Sequence, residues 1–440
     1  MLAIFLFVSS AVAQERTMAI GSGGPAAELP FGGTLRYDLH FAQTGEFGAG
    51  QGNQEWSFIS GDANYVNTEK LLPFSLQYGG GYGRVWTGSE AGGNIFEHLT
   101  LSQALVWRKW KLAASDSVSD TYQTATVGFT GIPGTGSPIG TTDSPTQPGQ
   151  TILALNTRTV TNSTTVDFTD QLDSKYMINL DGSAGEMRFI DNNGENTDTL
   201  TAGAGVTRNL NRLNSVKTQY SFSRYSYSGT SFSTQISSAT IGFTREWNRR
   251  LKTIVMVGPQ WISSSGGTTT GTASANVVSV PSMTVFSAMA VVDYQLRRGI
   301  ASANYFRGST GGSGYMLGAE IDNAGASYTQ QFGRNITVGA TGSYLRTASL
   351  EQGLAPIVNG SWIVFTLMPI GGITNAEFGG VQATRQVGRY LSFFANYTAI
   401  AQSSSVQVSQ LAFSANLLQG VNQVIGFGFG YTPREKRFKK

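Results

Sequence analysis

The sequence predicts an all-β protein, a transmembrane antiparallel up-and-down β-barrel of about 18 strands, in a range of about 16 to 20. Three observations predict it. Apolar and polar side chains alternate with a period of two in segments spread along the 440 residues. Short basic turns alternate with long polar connections between those segments. Charged residues make up 13% of the chain and glycines number 55, whereas soluble proteins carry about 25% charged residues and about 7% glycine. A lipid-facing band replaces the charged surface that a soluble protein needs, and glycine suits the inward positions and turns of a barrel.

The first residues, Met1 to Ala13, read MLAIFLFVSSAVA, an apolar run closing on the small residues Ala11 and Ala13. That pattern is expected of a secretory signal peptide cut before Gln14, lacking only a basic residue ahead of the apolar run, since the first is Arg16. Residues 14–30 are then an N-terminal segment, residues 31–431 the barrel, and residues 432–440, TPREKRFKK, a basic tail. No later stretch reaches the roughly 18 uninterrupted apolar residues of a spanning helix, so a crossing must use strands.

A barrel strand presents successive side chains alternately to lipid and lumen. Near the start, Leu35, Tyr37, Leu39 and Phe41 oppose Thr34, Arg36, Asp38 and His40. Further on, Leu200, Ala202, Ala204 and Val206 oppose Thr199, Thr201, Gly203 and Thr207, and Ile336, Val338, Ala340 and Tyr344 alternate with Thr337, Gly339, Thr341 and Ser343. Leu391, Phe393, Ala395 and Tyr397 alternate with Ser392, Asn396 and Thr398, with Phe394 as an exception. The last segment, IGFGFGY, sets Ile425, Phe427, Phe429 and Tyr431 against Gly426, Gly428 and Gly430. The parity breaks between Tyr220, Phe222 and Tyr225, Tyr227, which suggests a bulge or a shifted boundary.

Six short basic turns look like one repeated device: VWRKWKL from Val106, VTRNLNRL from Val206, FTREWNRRL from Phe243, YQLRRGI from Tyr294, QQFGRNI from Gln330 and TRQVGRYL from Thr384. Two more connections, Asn67 to Pro73 and Asp170 to Tyr176, bring the tight turns to eight. With both termini on one side, eight turns imply about 18 strands, an even number as in bacterial single-chain barrels. Between them lie long polar connections such as Thr124 to Gln150 and Ser263 to Ala275, together with Ser349 to Asn375, which is partly apolar.

On these features the chain resembles the porin-like Gram-negative outer-membrane β-barrel proteins, over roughly Phe31 to Tyr431. The closing strand, with Gly426, Phe427, Phe429 and Tyr431, resembles the C-terminal signal by which such proteins are recognised for assembly, with the departure that the tail Thr432 to Lys440 follows it. The resemblance implies a place in the cell outer membrane, with long loops outside the cell and the tight turns, N-terminal segment and basic tail in the periplasm. It implies passive diffusion of small hydrophilic solutes or ions as the function. The implied partners are outer-membrane lipid and the barrel-assembly machinery, and a homotrimer is compatible with it although no sequence pattern marks an interface. The alternative is a plugged barrel acting as scaffold, adhesin or partner of polysaccharide export.

Arg36, Asp38 and His40 share one face and are, with Asp181 and Asp293, the candidates for lumen selectivity; Glu320 and Asp322 join them as acidic inward candidates, parity favouring some of these acids only. The turn arginines, Arg108, Arg208, Arg212, Arg249, Arg334 and Arg389, with Arg245, Arg297 and Arg385, are expected at the periplasmic rim. There they anchor it at the headgroup level or form a ring that attracts anions. Trp107, Trp110, Trp247, Phe332 and Tyr390 beside the turns fit an interfacial girdle. Phe394 is the one clear inward aromatic, so a sugar-stacking track is not expected, and Ser349 to Asn375 is the candidate constriction or else an outer-leaflet strand extension. The chain has no cysteine and only His40 and His98 as histidines. No catalytic residue, metal site or cofactor is therefore expected, and the scattered basic residues with net charge +3 speak against nucleic acid.

Overall fold

The structure, a computed structural model, describes residues 27–28, 34–48, 53–67, 71–87, 93–123, 157–190, 196–228, 233–265, 268–269, 277–278, 282–312, 318–350, 352–359, 362–369, 372–405 and 420–433. The expected signal peptide 1–13, the connection Thr124 to Gln150 and the tail from Arg434 lie outside the described residues. Eighteen long strands form the barrel wall. They are β1 (Thr34–Gly48), β2 (Gln54–Asn67), β3 (Phe74–Val85), β4 (Gly93–Val106), β5 (Trp110–Gln123) and β6 (Thr157–Gln171). Next come β7 (Tyr176–Phe189), β8 (Thr197–Asn209), β9 (Asn214–Tyr227), β10 (Ser233–Glu246), β11 (Leu251–Ser265) and β12 (Met283–Leu296). The last six are β13 (Gly299–Thr310), β14 (Ala319–Phe332), β15 (Ile336–Ser349), β16 (Ile373–Val387), β17 (Leu391–Ser404) and β18 (Gly420–Tyr431). Every neighbour in the wall is antiparallel to the next, and β18 returns to β1 from Leu39↔Tyr431 to Gly48↔Asn422, closing the barrel. Closure removes the free edge, whose bare N–H and C=O groups lipid cannot satisfy.

Alternation holds in the closing strand as the sequence predicts. Ile425, Phe427, Phe429 and Tyr431 are exposed on the outer face, and the Phe41 and Phe429 rings meet across the seam with centroids 5.5 Å apart. The intervening glycines have a steric reason. A Cβ on Gly428 would collide with the Phe41 carbonyl oxygen and with the Phe394 ring, so the seam closes tightly only around a residue without a side chain. The same outward parity exposes Leu39, Ile59, Leu99, Leu180, Leu200, Ile241, Phe286, Val381 and Phe393 around the whole wall. Transfer of such side chains out of water stabilises by up to about 1.5–3 kcal/mol each, and here the receiving phase is lipid rather than a protein core. The structure is thus a transmembrane barrel with its apolar belt outside.

Eight connections of two to six residues join the strands at one rim, at 68–73, 107–109, 172–175, 210–213, 247–250, 297–298, 333–335 and 388–390, and the connections at the other rim run from five residues upward and include all the long ones. The turns use several chemistries rather than one basic device. In three of them an Asx side chain closes the turn: Asp173 accepts from the amides of Lys175 and Tyr176, Asn211 from Leu213 and Asn214, and Asn248 from Arg250 and Leu251. In two others a glycine supplies positive φ, Gly333 at 65° and Gly388 at 74°. The suspected bulge near Tyr220 is absent among the described residues, since β9 pairs without interruption from Ser215 to Ser226 on both sides. Tyr220 points outward, while Tyr225 and Tyr227 are buried on the lumen side.

Candidate channel lumen

The inward faces divide the lumen into two halves. Near the tight-turn rim they are mostly polar, some buried, as at Asp38, Asn179 and Thr207, and others partly accessible, with Ser115 bonded to Thr165 at 2.6 Å; toward mid-strand Thr100 bonds the His98 Nε2 at 2.9 Å. Near the long-loop rim the inward residues are buried, as at Thr197, Thr199 and Thr201 on β8 or Asn422 and Val424 on β18. Buried apolar groups gather in separate patches, mostly in this half. Trp56, Phe58, Phe96, Phe394, Ala42 and Val85 form one on β1–β4 and β17, with the Trp56 and Phe58 rings stacked at 5.6 Å. Tyr225, Tyr227, Ile236, Ile262 and Leu350 form another, backed by Met283 and Val285, on the wall across the barrel. The expectation that Phe394 stands alone among inward aromatics is therefore wrong. Inward and outward aromatics share a composition, and only an unbroken register separates them.

A described element narrows this half. β13 pairs with β12 only as far as Ala288↔Arg307, while its pairing with β14 continues to Thr310↔Ala319. Freed from β12, the end of the β13–β14 hairpin leans inward: Ser309 N donates to Gln260 Oε1 of β11 at 2.8 Å, and the Tyr227 hydroxyl of β9 donates to the Gly311 carbonyl at 2.5 Å. A Cβ on Gly311 would collide with the Tyr225 ring, so the backbone lies flat on that aromatic seat. The connection Ser349 to Asn375 contributes Leu350 to the same seat, and the Leu350 amide donates to the Gly318 carbonyl at 3.0 Å. Among the described residues its Gln352–Asn359 and Trp362–Pro369 segments pair with each other, as a separate two-stranded sheet rather than an extension of β15 and β16.

Of the lumen candidates, Asp38 and His40 lie buried on the inner face of β1, and Arg36 shares their parity on the same strand. Asp181 stands directly opposite Asp167 across β7 and β6, and Asp293 directly opposite Lys252, with Ser302 Oγ donating to Asp293 at 2.7 Å. Asp62, opposite Asp38 on β2, and Glu46, buried on β1 and bonded by Asn422 Nδ2 at 2.6 Å, are lumen carboxylates that the sequence reading did not single out. Their parity was countable, but only once the register of β1 and β2 was fixed.

Glu320 and Asp322 are not inward. They share the outward parity of Tyr328 and Phe332, and the lumen face of β14 carries Ile321 and Asn323 instead. Outside the barrel, Arg307 meets Glu320 at 2.5 Å and Asp322 at 3.5 Å, and Arg346 meets Asp322 at 3.2 Å. These outward charges sit toward the long-loop ends of their strands, where lipid gives way to water and a charge costs little. The rim arginines Arg108, Arg208, Arg212, Arg249, Arg334 and Arg389 are all exposed at or beside tight turns. The Arg208 guanidinium lies 5.6 Å over the Tyr176 ring, and that of Arg245 lies 3.9 Å over Trp247.

Among the described residues no group of three or more His, Asp or Glu side chains could hold a metal ion. No protein-family model matches the chain, and no curated protein sequence matches it. Among solved structures, it is similar to Pseudomonas aeruginosa OccK2 (OpdF), at 8% identity and a TM-score of 0.43, over 92% of this chain and 98% of that one. It is also similar to Pseudomonas aeruginosa OprD, at 10% identity and a TM-score of 0.39, over 93% of this chain and 97% of that one. The FrpB iron transporter from Neisseria meningitidis aligns at 9% identity and a TM-score of 0.42, over 95% of this chain and 83% of that one.

Proposed function

We propose that this barrel resides in the outer membrane of a Gram-negative cell and passes small hydrophilic solutes or ions by passive diffusion. The observation that carries the reading is the pairing of β18 with β1, which seals a wall that is apolar outside and lined inside by serine, threonine, asparagine, lysine and aspartate near the tight-turn rim. An 18-stranded wall is wide enough for an aqueous channel unless it is filled. The inward β13–β14 hairpin then acts as the selectivity restriction. In the same proposal the tight turns face the periplasm, the rim arginines hold that rim at the headgroups, and residues 1–13 are a secretory signal. The assembly machinery would read the β18 end through Phe427, Phe429 and Tyr431, and the homotrimer belongs to the proposal as well.

Single-channel recording of the purified mature protein in a planar bilayer tests the reading. Discrete, long-lived conductance steps are expected. A barrel that inserts and stays silent would replace the channel with a plugged scaffold, adhesin or export partner.

A further inference from the structure

We infer that the β1–β2 wall of the lumen holds a cation site, built by Asp38 and Asp62 with His40 and Ser60, and that it gives the pore a preference for positively charged solutes. The inference rests on the channel reading and names its substrate class.

Asp38 and Asp62 are direct cross-strand partners on the inward face, and the next row pairs His40 with Ser60. Like charges placed directly opposite destabilise a sheet, so this arrangement works against the fold unless something positive sits between them. The polar atoms around it are unsatisfied. Asp38, His40 and Ser60 are each 4% exposed, and Asp38 Oδ1, both His40 ring nitrogens and Ser60 Oγ have no hydrogen-bond partner. Asp62, at 27% side-chain exposure, fronts the group toward the lumen, with one carboxylate oxygen 3.7 Å from His40 Nε2.

The other inward aspartates each have a lysine within electrostatic reach. Asp167 and Asp181 are also direct partners, but Lys111 and Lys217 act on them electrostatically, and Asp293 faces Lys252. Arg36 stands one row nearer the tight-turn rim, opposite Asn64. Along the same strand Glu46 offers a second carboxylate toward the long-loop rim, with Oε2 unpartnered, eight residues or about 27 Å from Asp38 at about 3.4 Å per residue. Asp62 thus presents the negative charge of the group to the lumen, which attracts a crossing cation and repels an anion. The group lacks the geometry of a direct metal-ligand set, so two carboxylates, an imidazole and a hydroxyl suit a cation that keeps its water shell, such as hydrated potassium, or an organic ammonium ion.

The test is the reversal potential of single channels under a potassium chloride gradient, for the wild type, Asp38→Asn/Asp62→Asn and the outward control Asp116→Asn, each checked for assembly by heat-modifiable gel mobility. Asp116 shares the outward parity of Leu112 and accepts from Thr164 at 2.6 Å, so its loss leaves lumen charge unchanged. Potassium preference is expected in the wild type and the control, with the ratio falling toward one in the double variant. Should the double variant fail to assemble, Asp62→Asn alone reads the same loss. A wild type that prefers chloride, or a double variant that keeps the wild-type ratio, overturns the cation site and leaves the channel standing. Silence in every form sinks the channel reading itself.

Discussion

The hydroxyl of Tyr227 reaches the carbonyl of Gly311 at 2.5 Å, binding β9 to a hairpin that begins four strands further round the wall. Neutral hydrogen bonds of this kind contribute about 1 kcal/mol net. Tyr227→Phe should therefore cost about that much stability while loosening the restriction. Larger single-channel conductance with a nearly unchanged melting temperature is the expected result, and unchanged conductance would show that the hairpin does not limit the pore.

A pH effect is expected at the Asp173 turn. Backbone amides of Lys175 and then Tyr176 hold the Asp173 carboxyl below its usual 3.8. A carboxylate depressed in the folded state stabilises above its unfolded pKa, and that contribution is lost as pH falls through the folded value. The amide resonances of Lys175 and Tyr176 should titrate with a midpoint under 3.8, and Asp173→Asn, which copies the Asn211 and Asn248 turns, should remove the titration. A midpoint at or above 3.8 would contradict the turn geometry.

The seam makes a steric prediction. Gly428→Val places a branched side chain against the Phe41 carbonyl and the Phe394 ring, and overpacking of this kind costs about 1–3 kcal/mol. Fewer heat-modifiable, folded barrels should form in detergent. Adding Phe394→Ala should recover only part of the loss, because the backbone contact stays.

Parity around the wall can be read by charge. Ile425→Arg, on the exposed outer face in the middle of β18, should cost about 2–4 kcal/mol of unfolding free energy in lipid vesicles. Thr341→Arg, at a comparable height on the lumen face of β15, should cost far less. Equal costs would mean that the two faces have been assigned to the wrong sides.

Much of this architecture is legible in the sequence, because its determinants are local. Alternation along Ile336 to Leu345 and Leu391 to Ile400 needs only successive side chains, and five of the eight tight turns carry a local turn residue in Asp173, Asn211, Asn248, Gly333 or Gly388. The lumen was less legible. Tyr225 and Tyr227 read as a fault because an aromatic facing a buried lumen patch looks the same in sequence as one facing lipid. Glu320 and Asp322 read as lumen acids because carboxylates are expected to shun the outer face, yet Arg307 and Arg346 meet them there. The inward lean of the β13–β14 hairpin depends on Gln260 and Tyr227, dozens of residues away, and no local pattern encodes it.

The pairing of β18 with β1 also fixes when the molecule can come into being. Its most distant contact in sequence is the one that seals it, and the entropy of bringing such remote segments together must be overcome before that contact returns anything. Until Tyr431 reaches Leu39, the sheet has two bare edges and dozens of apolar side chains facing water. A nascent copy therefore has no safe partial state. It depends on being kept apart from its siblings until the whole length is present, and a copy cut short before its last strand becomes a template for aggregation rather than a smaller pore.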